Sequence, residues 1–368
     1  MKHVIHFIAG CLFCFLAINP AYADDANQVN FLNWAEYIDP DVITNFQNQT
    51  GITINQSFFD GSDMLKAKLM AGGSGYDLTV PALSDMIQEI PAGVFQPLDK
   101  SQLPNYKYID PAIYRIATKV DPGNTYGVVY MYGTTGVSYN PDLIKRELGN
   151  DAPVDQWKIL FDPKYLSKLQ DCGVAFLDEP VQVFGLTLHY LGLDPNSTNP
   201  ADYYKAADYL MKIRKYLIYF DNNRYITDLA AGNICIAMGY SGDTMRAKAN
   251  AEQMHAAIQV EYALPKGGAP IWFDMLAIPK NAPHVAATLK FINYLMDPKV
   301  AALNSNFLYQ PSALINMRQY YDPLLLRTPG MLPDQQETAT GLFNVHIPPP
   351  ALNDLETKLW MQVKYGIY

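Results

Sequence analysis

Strand and helix signals alternate along the first third of the chain, and this alternation limits the fold more than any other feature. The stretch "GITINQSFF" (51–59) alternates apolar and polar residues, which is typical of a half-buried strand. The next stretch, "SDMLKAKLMAGG" (62–73), has apolar residues at helical spacing and ends in two glycines. "YDLTVPA" (76–82) is typical of a short buried strand, and "SDMIQEIPAG" (84–93) of a short helix. Repeated β-α-β units predict a parallel sheet with helices on both faces.

A second β-α-β series follows a long strand-like stretch in the middle of the chain. That stretch, "TYGVVYMYGTTGVSYNPD" (125–142), is predicted to be a strand broken by Gly133 and Gly136. The strand "CGVAFLDEP" (172–180), three helical patterns and the strand "ICIAMGY" (234–240) come next. Two α/β lobes, with more than one chain crossing between them, are the simplest architecture for this order of elements.

Length and composition fit a large globular protein. At 368 residues the chain is long for a single core, so one large domain or two linked domains are expected. Hydrophobic residues make up 49% and charged residues 17%, which excludes a disordered chain. The formal net charge of −9 argues against nucleic acid as a partner, because nucleic-acid binding needs a basic surface.

The first residues have the pattern of a secretory signal. Lys2 precedes an apolar run that ends in Ala21-Tyr22-Ala23, so we expect cleavage after Ala23 and exclude 1–23 from the fold. A competing pattern, "IAGC" (8–11), resembles a bacterial lipoprotein box, although it would leave a very short apolar region. No later run reaches the roughly 18 apolar residues that a membrane span needs.

Two of the four cysteines, Cys172 and Cys235, lie in the predicted mature chain. A secreted protein meets an oxidising compartment, where thiols form disulfides. A bridge between these two would close a long loop and stabilise the fold by about 4 kcal/mol. The alternative is a pair of buried free thiols, and we favour the bridge.

Catalytic and metal motifs are weak in this sequence. The histidines of the mature chain are scattered and form no metal-binding pattern: His189, His255, His284 and His346. "GYSGD" (239–243) differs from a nucleophile elbow, because Asp243 takes the place of the second glycine. Asp243 and Asp274 could serve a hydrolase as paired carboxylates, which keeps an enzyme as the alternative of a different class.

Aromatic side chains recur beside carboxylates at several predicted strand or helix ends. "NWAEYI" (33–38) follows the first strand, "GYSGD" ends another, "IWFDML" (271–276) has Trp272 and Asp274 on one strand face, and "FLYQPSA" (307–313) follows a helix. Each stretch has a simple structural explanation, since such aromatics are mostly core residues and an acid can cap a helix. Together they favour a site for an organic ammonium, which aromatic faces and carboxylates both attract.

Several long motifs also resemble one known family. "NWAEYI", "LMAGGSGYDLTVP", "GVFQPLDKSQLPN", "GNICIAMGYSGD" and "WFDMLAIP" are similar to those of the periplasmic polyamine-binding proteins of ABC transporters, with the putrescine-binding branch most similar. The resemblance implies an α/β, two-lobed periplasmic-binding-protein (type II) fold with a hinge and an interlobe ligand cleft. We expect lobe 1 at 24–134 and 258–303, and lobe 2 at 135–257 and 304–368. The hinge is expected near 132–136 and 256–261.

The resemblance also implies a set of ligand-binding residues. The aromatic box carried over by motif consists of Trp34, Tyr37, Tyr240, Trp272 and Tyr309. The acids that hold the amines are Asp243 and Asp274, with Glu36 beside the first aromatic residue. Ser84 lies on a pocket-lining loop.

Four positions differ from the putrescine branch or mix it with the spermidine branch. Ala35 and Ala82 replace hydroxyl residues, and Gln182 stands where a ligand-binding glutamate usually begins the helix after "FLDEP". Glu179 matches an acid of the spermidine-binding branch and could compensate for Gln182. The ligand is therefore predicted to be putrescine or spermidine, with agmatine or a basic amino acid as an alternative cation.

The remaining expectations concern partners and location. The resemblance implies a periplasmic, non-enzymatic receptor without a cofactor, which delivers its ligand to an inner-membrane ABC transporter permease and acts as a monomer. An amino-acid receptor would need an arginine for the ligand carboxylate. Arg246 is the nearest candidate, and its position on the predicted helix turns it away from the aromatic stretches.

Overall fold

The computed structural model describes residues 27–59, 61–72, 75–255, 257–328, 330–332 and 341–367, without the side chain at position 63. The predicted signal segment 1–23 and its cleavage site lie outside these residues. Within them, no helix has the length and apolar character that a membrane crossing requires.

The described residues form ten strands and fifteen α-helices. The strands are β1 (Gln28–Trp34), β2 (Thr53–Phe59), β3 (Leu78–Thr79), β4 (Gly127–Tyr139), β5 (Val174–Phe176), β6 (Tyr219–Phe220), β7 (Ile236–Tyr240), β8 (Glu261–Ala263), β9 (Ala269–Ala277) and β10 (Leu342–Phe343). The helices are α1 (Pro40–Thr50), α2 (Ser62–Met70), α3 (Leu83–Glu89), α4 (Pro111–Ala117), α5 (Pro141–Leu148), α6 (Lys158–Phe161), α7 (Pro163–Leu169), α8 (Pro180–Tyr190), α9 (Pro200–Ile213), α10 (Arg224–Ala231), α11 (Ser241–Gln253), α12 (Val285–Leu295), α13 (Pro298–Leu308), α14 (Pro323–Arg327) and α15 (Pro350–Tyr365).

One sequence signal starts nearly half of these helices. In each case an aspartate or asparagine at the N-cap accepts a hydrogen bond from a backbone N–H of the first turn, and proline occupies the first helical position. Proline fits there because the first helical N–H has no intrahelical partner. The helices that begin in this way are α1, α4, α5, α7, α9, α13 and α14.

The strands form one mixed sheet, so the prediction of a parallel sheet is right only for its flanks. The order is β2-β1-β3-β9-β4-β7-β5-β6, with β10 beside β9 and β8 beside β4. Neighbours are parallel in both flanks. At the centre, β4 and β9 run antiparallel to each other, and β3 and β7 pair antiparallel with them. The β-α-β pattern could not reveal this, because β4 and β9 lie in neither series.

Strand β4 connects the two halves of the sheet without a break, contrary to the prediction. Its first part, 127–134, pairs with β9, and its second part, 135–139, pairs with β7. Gly133 and Gly136 do not interrupt the strand. Glycine is needed at both positions because a neighbouring side chain occupies the space that a Cβ atom would take. A Cβ at Gly133 would overlap the Trp272 ring, and one at Gly136 would overlap Tyr262.

Separate hydrophobic cores lie on the two sides of this junction. Phe176, Phe184 and Ile236 belong to the core of one half. Phe31 and Phe291 belong to a core of the other half, which has a further cluster around Phe273 on the opposite sheet face. Two cores joined by long central strands agree with the predicted two-lobed architecture.

Two segments pack differently from the predicted lobe division. The segment 304–331 was assigned to lobe 2, whereas Leu308, Leu314 and Met317 pack in the core of Phe31. The segment from 258 was assigned to lobe 1, whereas Val260 packs in the core of Phe176. The reason is that β8 pairs with the second part of β4, so the chain returns to the first lobe only along β9. Position 256, one end of the predicted hinge segment, lies outside the described residues.

The predicted disulfide is confirmed. Cys172 and Cys235 are bonded, with their Cα atoms 5.6 Å apart and a separation of 63 positions in sequence. Cys235 directly precedes β7 rather than lying inside it, and Cys172 follows α7. The bridge therefore ties two segments of the second-lobe core to each other.

Candidate ligand-binding site

Several of the predicted site residues lie at or near the ends of helices and strands. Trp34 ends β1, Tyr240 ends β7, and Tyr309 follows α13. Ser84 and Gln182 lie in the first turns of α3 and α8. This placement agrees with the rule that ligands bind beyond the carboxyl ends of strands in α/β sheets.

Asp274 is a partly buried carboxylate within strand β9. Tyr37 Oη donates a hydrogen bond to Asp274 Oδ2 over 2.5 Å. Burial raises the pKa of Asp274 to about 7, the hydrogen bond from Tyr37 lowers it, and the nearby Asp85 raises it. Asp85 comes close because Ala82, which precedes α3, forms a β-bridge with Asp274. A carboxylate in such surroundings is stabilised by any cation that reaches it.

Local backbone geometry places Tyr37 over this carboxylate. Glu36 has a left-handed backbone (φ 54°), which turns the chain after β1. The Asn33 side-chain amide donates to the Tyr37 carbonyl over 3.2 Å, and Tyr130 Oη donates to the same oxygen over 3.0 Å. The rings of Tyr37 and Tyr130 pack edge to face, with 5.8 Å between centroids. Tyr37 is therefore fixed at both its backbone and its ring.

Asp243 is the corresponding acid on the other side, in the first turn of α11. Tyr225 Oη donates to Asp243 Oδ2 over 2.8 Å and accepts from the backbone N–H of Tyr240 over 3.0 Å. Burial raises the pKa of Asp243, while the Tyr225 hydrogen bond and Arg246 act in the opposite direction. Asp243 is not the helix cap, since α11 begins at Ser241 and has no side-chain cap.

Tyr240 lies among three of the predicted acids. Burial raises its pKa, and the negative charges of Glu179, Asp243 and Asp274 raise it further. Its ring packs edge to face on Trp272, with 5.7 Å between centroids. Acids from β9, α11 and the start of α8 therefore converge on one pair of aromatic rings.

Of the two rings, that of Trp272 lies on the first-lobe side, on strand β9. Its ring lies directly over Gly133 of β4, where a larger residue would displace it. Its indole N–H is buried and has no hydrogen-bond partner among the residues that the structure describes. The N–H is the single hydrogen-bonding group of an indole, so this ring contacts its surroundings mainly through its apolar, π-rich face.

Glu179 and Gln182 lie at the start of α8. Glu179 takes the N-cap position but makes no side-chain cap bond. Thr135 Oγ1 donates to Gln182 Oε1 over 3.3 Å, so Gln182 faces the junction strand β4. Glu179 also lies close enough to Glu356 of α15 to raise the pKa of that buried acid.

The other predicted residues make contacts of their own around the site. Trp34 donates from its indole N–H to the Val80 carbonyl over 3.0 Å and packs on Phe59 with 4.4 Å between centroids. Tyr309 has a left-handed backbone (φ 55°) and packs on the first-lobe core. Glu36 is exposed and Ser84 is partly buried.

The sequence analysis missed three residues of the site: Tyr225, Asp85 and Gln310. Tyr225 holds Asp243, and Asp85 influences Asp274, although neither stretch stood out by composition. Gln310 is nearly buried and its side-chain amide contacts Tyr37 Oη. It directly follows Tyr309 in "FLYQPSA", so the signal was present in a stretch that already attracted notice.

The arrangement suits cation binding better than metal binding. The oxygens of Asp243 and Asp274 lie beside aromatic rings and accept hydrogen bonds from tyrosine hydroxyls. In the described parts of the chain, no group of three histidine, cysteine or acid side chains could hold a metal ion. His284 is already paired with Asp77, with 2.8 Å between Nδ1 and Oδ2. Organic ammonium groups bind to such sets of rings and carboxylates.

Comparisons with known proteins agree with this chemistry. The family described as "Bacterial extracellular solute-binding protein" matches residues 41–313. Putrescine-binding periplasmic protein SpuD of Pseudomonas aeruginosa is 40% identical over 346 residues, which cover 94% of this chain and 94% of SpuD. Putrescine-binding periplasmic protein PotF of Escherichia coli is 40% identical over 345 residues, which cover 94% of this chain and 93% of PotF.

The fold is also similar to that of a solved polyamine-binding protein. The spermidine/putrescine ABC transporter substrate-binding protein PotD of Streptococcus pneumoniae superposes with a TM-score of 0.79 at 23% identity. The superposition covers 92% of this chain and 99% of PotD.

Proposed function

This chain belongs to the family of bacterial extracellular solute-binding proteins, and we propose that it is a periplasmic polyamine receptor that delivers its ligand to an ABC transporter permease. Its α/β fold is the two-lobed type II fold of periplasmic binding proteins. The family and the relatives are solute-binding proteins and not enzymes. The paired acids therefore serve binding and not hydrolysis.

One observation supports the polyamine most strongly. Asp274 from the first lobe and Asp243 from the second are each held by one tyrosine donor, and both act electrostatically on Tyr37 and Tyr240. A linear molecule with an ammonium group at each end would neutralise acids from both lobes at once. Its alkyl chain would lie along the aromatic rings, which bind both methylene and ammonium groups.

The proposed site consists of an aromatic box and a set of polar groups. The box is Trp34, Tyr37, Tyr240, Trp272 and Tyr309. The acids are Asp243 and Asp274 in the centre, with Glu179 and Glu36 at the margins and Ser84 and Gln182 as uncharged partners. An ammonium group that reaches these acids forms charge-assisted hydrogen bonds, which are about twice as strong as neutral ones.

We propose a short diamine of the putrescine type as the preferred ligand. Gln182 adds no charge at the start of α8, while Glu179 acts on Tyr240 from the same helix end. A diamine needs two acids, and the two tyrosine-held acids supply them. Spermidine would add a third ammonium that Glu179 could neutralise, so it is the second candidate, and agmatine is the third.

Ligand binding would bring the lobes together. Because the two acids belong to different lobes, a dication that contacts both favours the closed arrangement and shifts the population toward the form that the permease accepts. We also propose that the mature protein begins after Ala23 and acts as a monomer. We also propose a revised lobe division that fits the packing. It adds 304–328 to the first lobe, and the chain crosses back to that lobe at the start of β9.

A ligand panel tests the proposal directly. Purified mature protein is heated with putrescine, cadaverine, spermidine, spermine, agmatine and several amino acids, and the preferred ligand is then titrated by calorimetry. A ligand at 100 times its Kd contributes about 2.7 kcal/mol to stability, which produces a clear shift in Tm. Stabilisation by amino acids and not by any polyamine would refute the proposal. Recovery of chemically altered polyamine after incubation would refute the non-enzymatic assignment.

A further inference from the structure

Gln310 contacts residues on both sides of the site, although it does not belong to the aromatic box. Its side-chain amide contacts Tyr37 Oη, whose other partner is Asp274 Oδ2. On its opposite side it packs against Gly242, which directly precedes Asp243. A Cβ at Gly242 would lie 2.8 Å from Gln310 Cγ and 3.3 Å from its Nε2. Gln310 therefore lies between Asp274 and the backbone that carries Asp243.

The backbone around Gln310 is firmly held. Its N–H donates to the Ser305 carbonyl over 3.2 Å, and the carbonyl of the next residue, Pro311, accepts from the N–H of Tyr132 over 2.9 Å. The preceding residue, Tyr309, has a left-handed backbone that ends α13. The side chain is only 9% exposed. The held backbone and the low exposure of Gln310 restrict its side chain, and a rotation about the last bond is enough to exchange the amide oxygen and NH₂ group.

Proton counting limits what this amide can do. A phenol has one proton, so Tyr37 can donate to Asp274 or to Gln310 but not to both. If Asp274 is ionised, Tyr37 donates to it, and Gln310 must turn its NH₂ group toward the phenol for both contacts to be hydrogen bonds. If Asp274 is protonated, it donates to Tyr37, and Tyr37 donates to the Gln310 carbonyl oxygen. A primary amide satisfies the phenol in both states, because it carries an acceptor oxygen and a donor NH₂ group.

We propose that Gln310 is a positioning residue for the ammonium grip of Asp274, and that its amide turns from accepting to donating as the ligand ionises this acid. This inference rests on the proposed function and adds a polarity-reversing hydrogen-bond chain, Gln310–Tyr37–Asp274. The chain stabilises the ionised acid more than the neutral one, because hydrogen bonds that end on an anion are stronger and reinforce one another.

The charges that surround Asp274 set the pH range of this effect. Tyr37 contacts it, Asp85 faces it from α3, Tyr130 from β4, and Tyr240 from β7. None of these groups is a cation at neutral pH. Asp274 has its pKa raised to about 7, so its ionisation falls within the range where an alkyl ammonium, with a pKa near 10.4, stays charged.

The test is the pH profile of putrescine affinity for Gln310→Met, which keeps the length of the side chain and removes both polar atoms. At pH 8 we expect the affinity to fall by roughly three- to ten-fold. Toward pH 6 the loss should grow, because without the chain Asp274 takes up its proton at a higher pH than in the wild type. Gln253→Met, at an exposed position of the same chemistry on α11, is the matched control and should leave the profile unchanged.

Two outcomes would overturn the inference alone, while the wild type still binds polyamine. One is a Gln310→Met profile identical to that of the wild type. The other is a loss by the same factor at every pH, which would reduce Gln310 to a packing role. If the wild type itself binds no polyamine, the proposed function fails and this inference fails with it.

Gly242→Ala provides a second route, in case Gln310→Met folds poorly. The added methyl group would lie 2.8 Å from Gln310 Cγ and 3.1 Å from the Tyr309 carbonyl oxygen. It displaces the Gln310 side chain without removing the amide, so it should reproduce the shifted pH profile. In a Gln310→Ala background, where Cγ is absent, the same methyl group should cost less affinity than in the wild type. Equal costs in both backgrounds would contradict the role of Gln310.

Discussion

The two acids of the site are built differently, although each accepts a hydrogen bond from one tyrosine. Asp274 lies inside a strand, and Asp85 adds a second negative charge nearby. Asp243 lies in the first turn of α11, where the helix dipole favours an anion, and Arg246 lowers its pKa from three residues away. The protein therefore compensates the charge of Asp243 much better than that of Asp274.

This difference indicates a division of labour between the lobes. An acid that the protein compensates poorly gains most from a ligand ammonium and costs most when no ligand is bound. Asp274 should therefore determine affinity and its pH dependence. Asp243 should contribute mainly to closure, because it brings the second lobe to the other end of the ligand.

The sharpest way to break this comparison is Asp274→Asn. Removing one partner of a buried charge pair costs about 2–5 kcal/mol, so putrescine affinity should fall by roughly 30- to 5,000-fold in calorimetry. The unliganded variant should be at least as stable as the wild type, and its advantage should be largest above pH 7. The folded acid keeps its proton up to about pH 7, whereas an unfolded aspartate loses it near 3.9, so wild-type stability falls as the pH rises between these values.

An unchanged affinity for Asp274→Asn would show that the assigned grip is wrong. A large fall in Tm for the unliganded variant would show that Asp274 is a structural acid rather than a binding one. Asp171→Asn, at an exposed acid outside the site, is the control for the loss of one negative charge.

Asp243→Asn should have the second largest effect, with a loss of roughly 10- to 50-fold in affinity. The loss is smaller because the helix N-terminus and Arg246 already stabilise the carboxylate. Isothermal titration under the same conditions as for Asp274→Asn compares the two acids directly. A greater loss at Asp243 than at Asp274 would reverse the proposed division of labour.

The two tyrosine donors offer a matched pair of smaller changes. Tyr37→Phe removes the hydrogen bond to Asp274, and Tyr225→Phe removes the one to Asp243. We expect a roughly ten-fold loss of affinity for Tyr37→Phe and about half that factor for Tyr225→Phe. Tyr37→Phe should also move the fall in affinity to a higher pH, because Asp274 loses a donor that lowers its pKa. Equal pH profiles for the two variants would contradict the account of Asp274.

The smallest expected effect is that of a change at Gln182, which lies at the margin of the site on the second-lobe side. Gln182→Glu restores an acid at the start of α8, where Thr135 can still donate to it. Affinity for putrescine should rise by roughly three-fold, since the added charge lies at the partly exposed edge of the site. Fluorescence titration of the tryptophans is sufficient to measure this change. A weaker affinity would indicate that the ligand does not extend toward α8.

The sequence predicted the elements that have strong local signals. The β-α-β series around 51–93, the disulfide and the aromatic–acid stretches all correspond to features of the structure. The elements and the aromatic–acid stretches could be predicted because periodicity and short motifs are local properties, and the disulfide because the predicted mature chain holds only two cysteines. The continuous β4 could not be predicted, because its glycines are explained by Trp272 and Tyr262, which are distant in sequence.

The same limit applied to the supporting residues of the site. Tyr225 has no unusual local sequence, and Gln310 lies in a stretch noticed only for Tyr309; their roles arise from contacts across the fold with Asp243 and Tyr37. Part of the lobe division differs from the observed packing for a similar reason, since the packing of 304–328 depends on tertiary contacts. Long-range packing thus decided what local patterns could not.

Proton release on binding is the most direct test of the central claim that a poorly compensated buried acid accepts the ligand ammonium. Putrescine is titrated by calorimetry at pH 7 in two buffers with different protonation enthalpies. Asp274, with its pKa raised to about 7, should be half protonated before binding, so about half a proton should be released per ligand by the wild type. Asp274→Asn should release far less. Equal release by both proteins, or none by the wild type, would contradict the account.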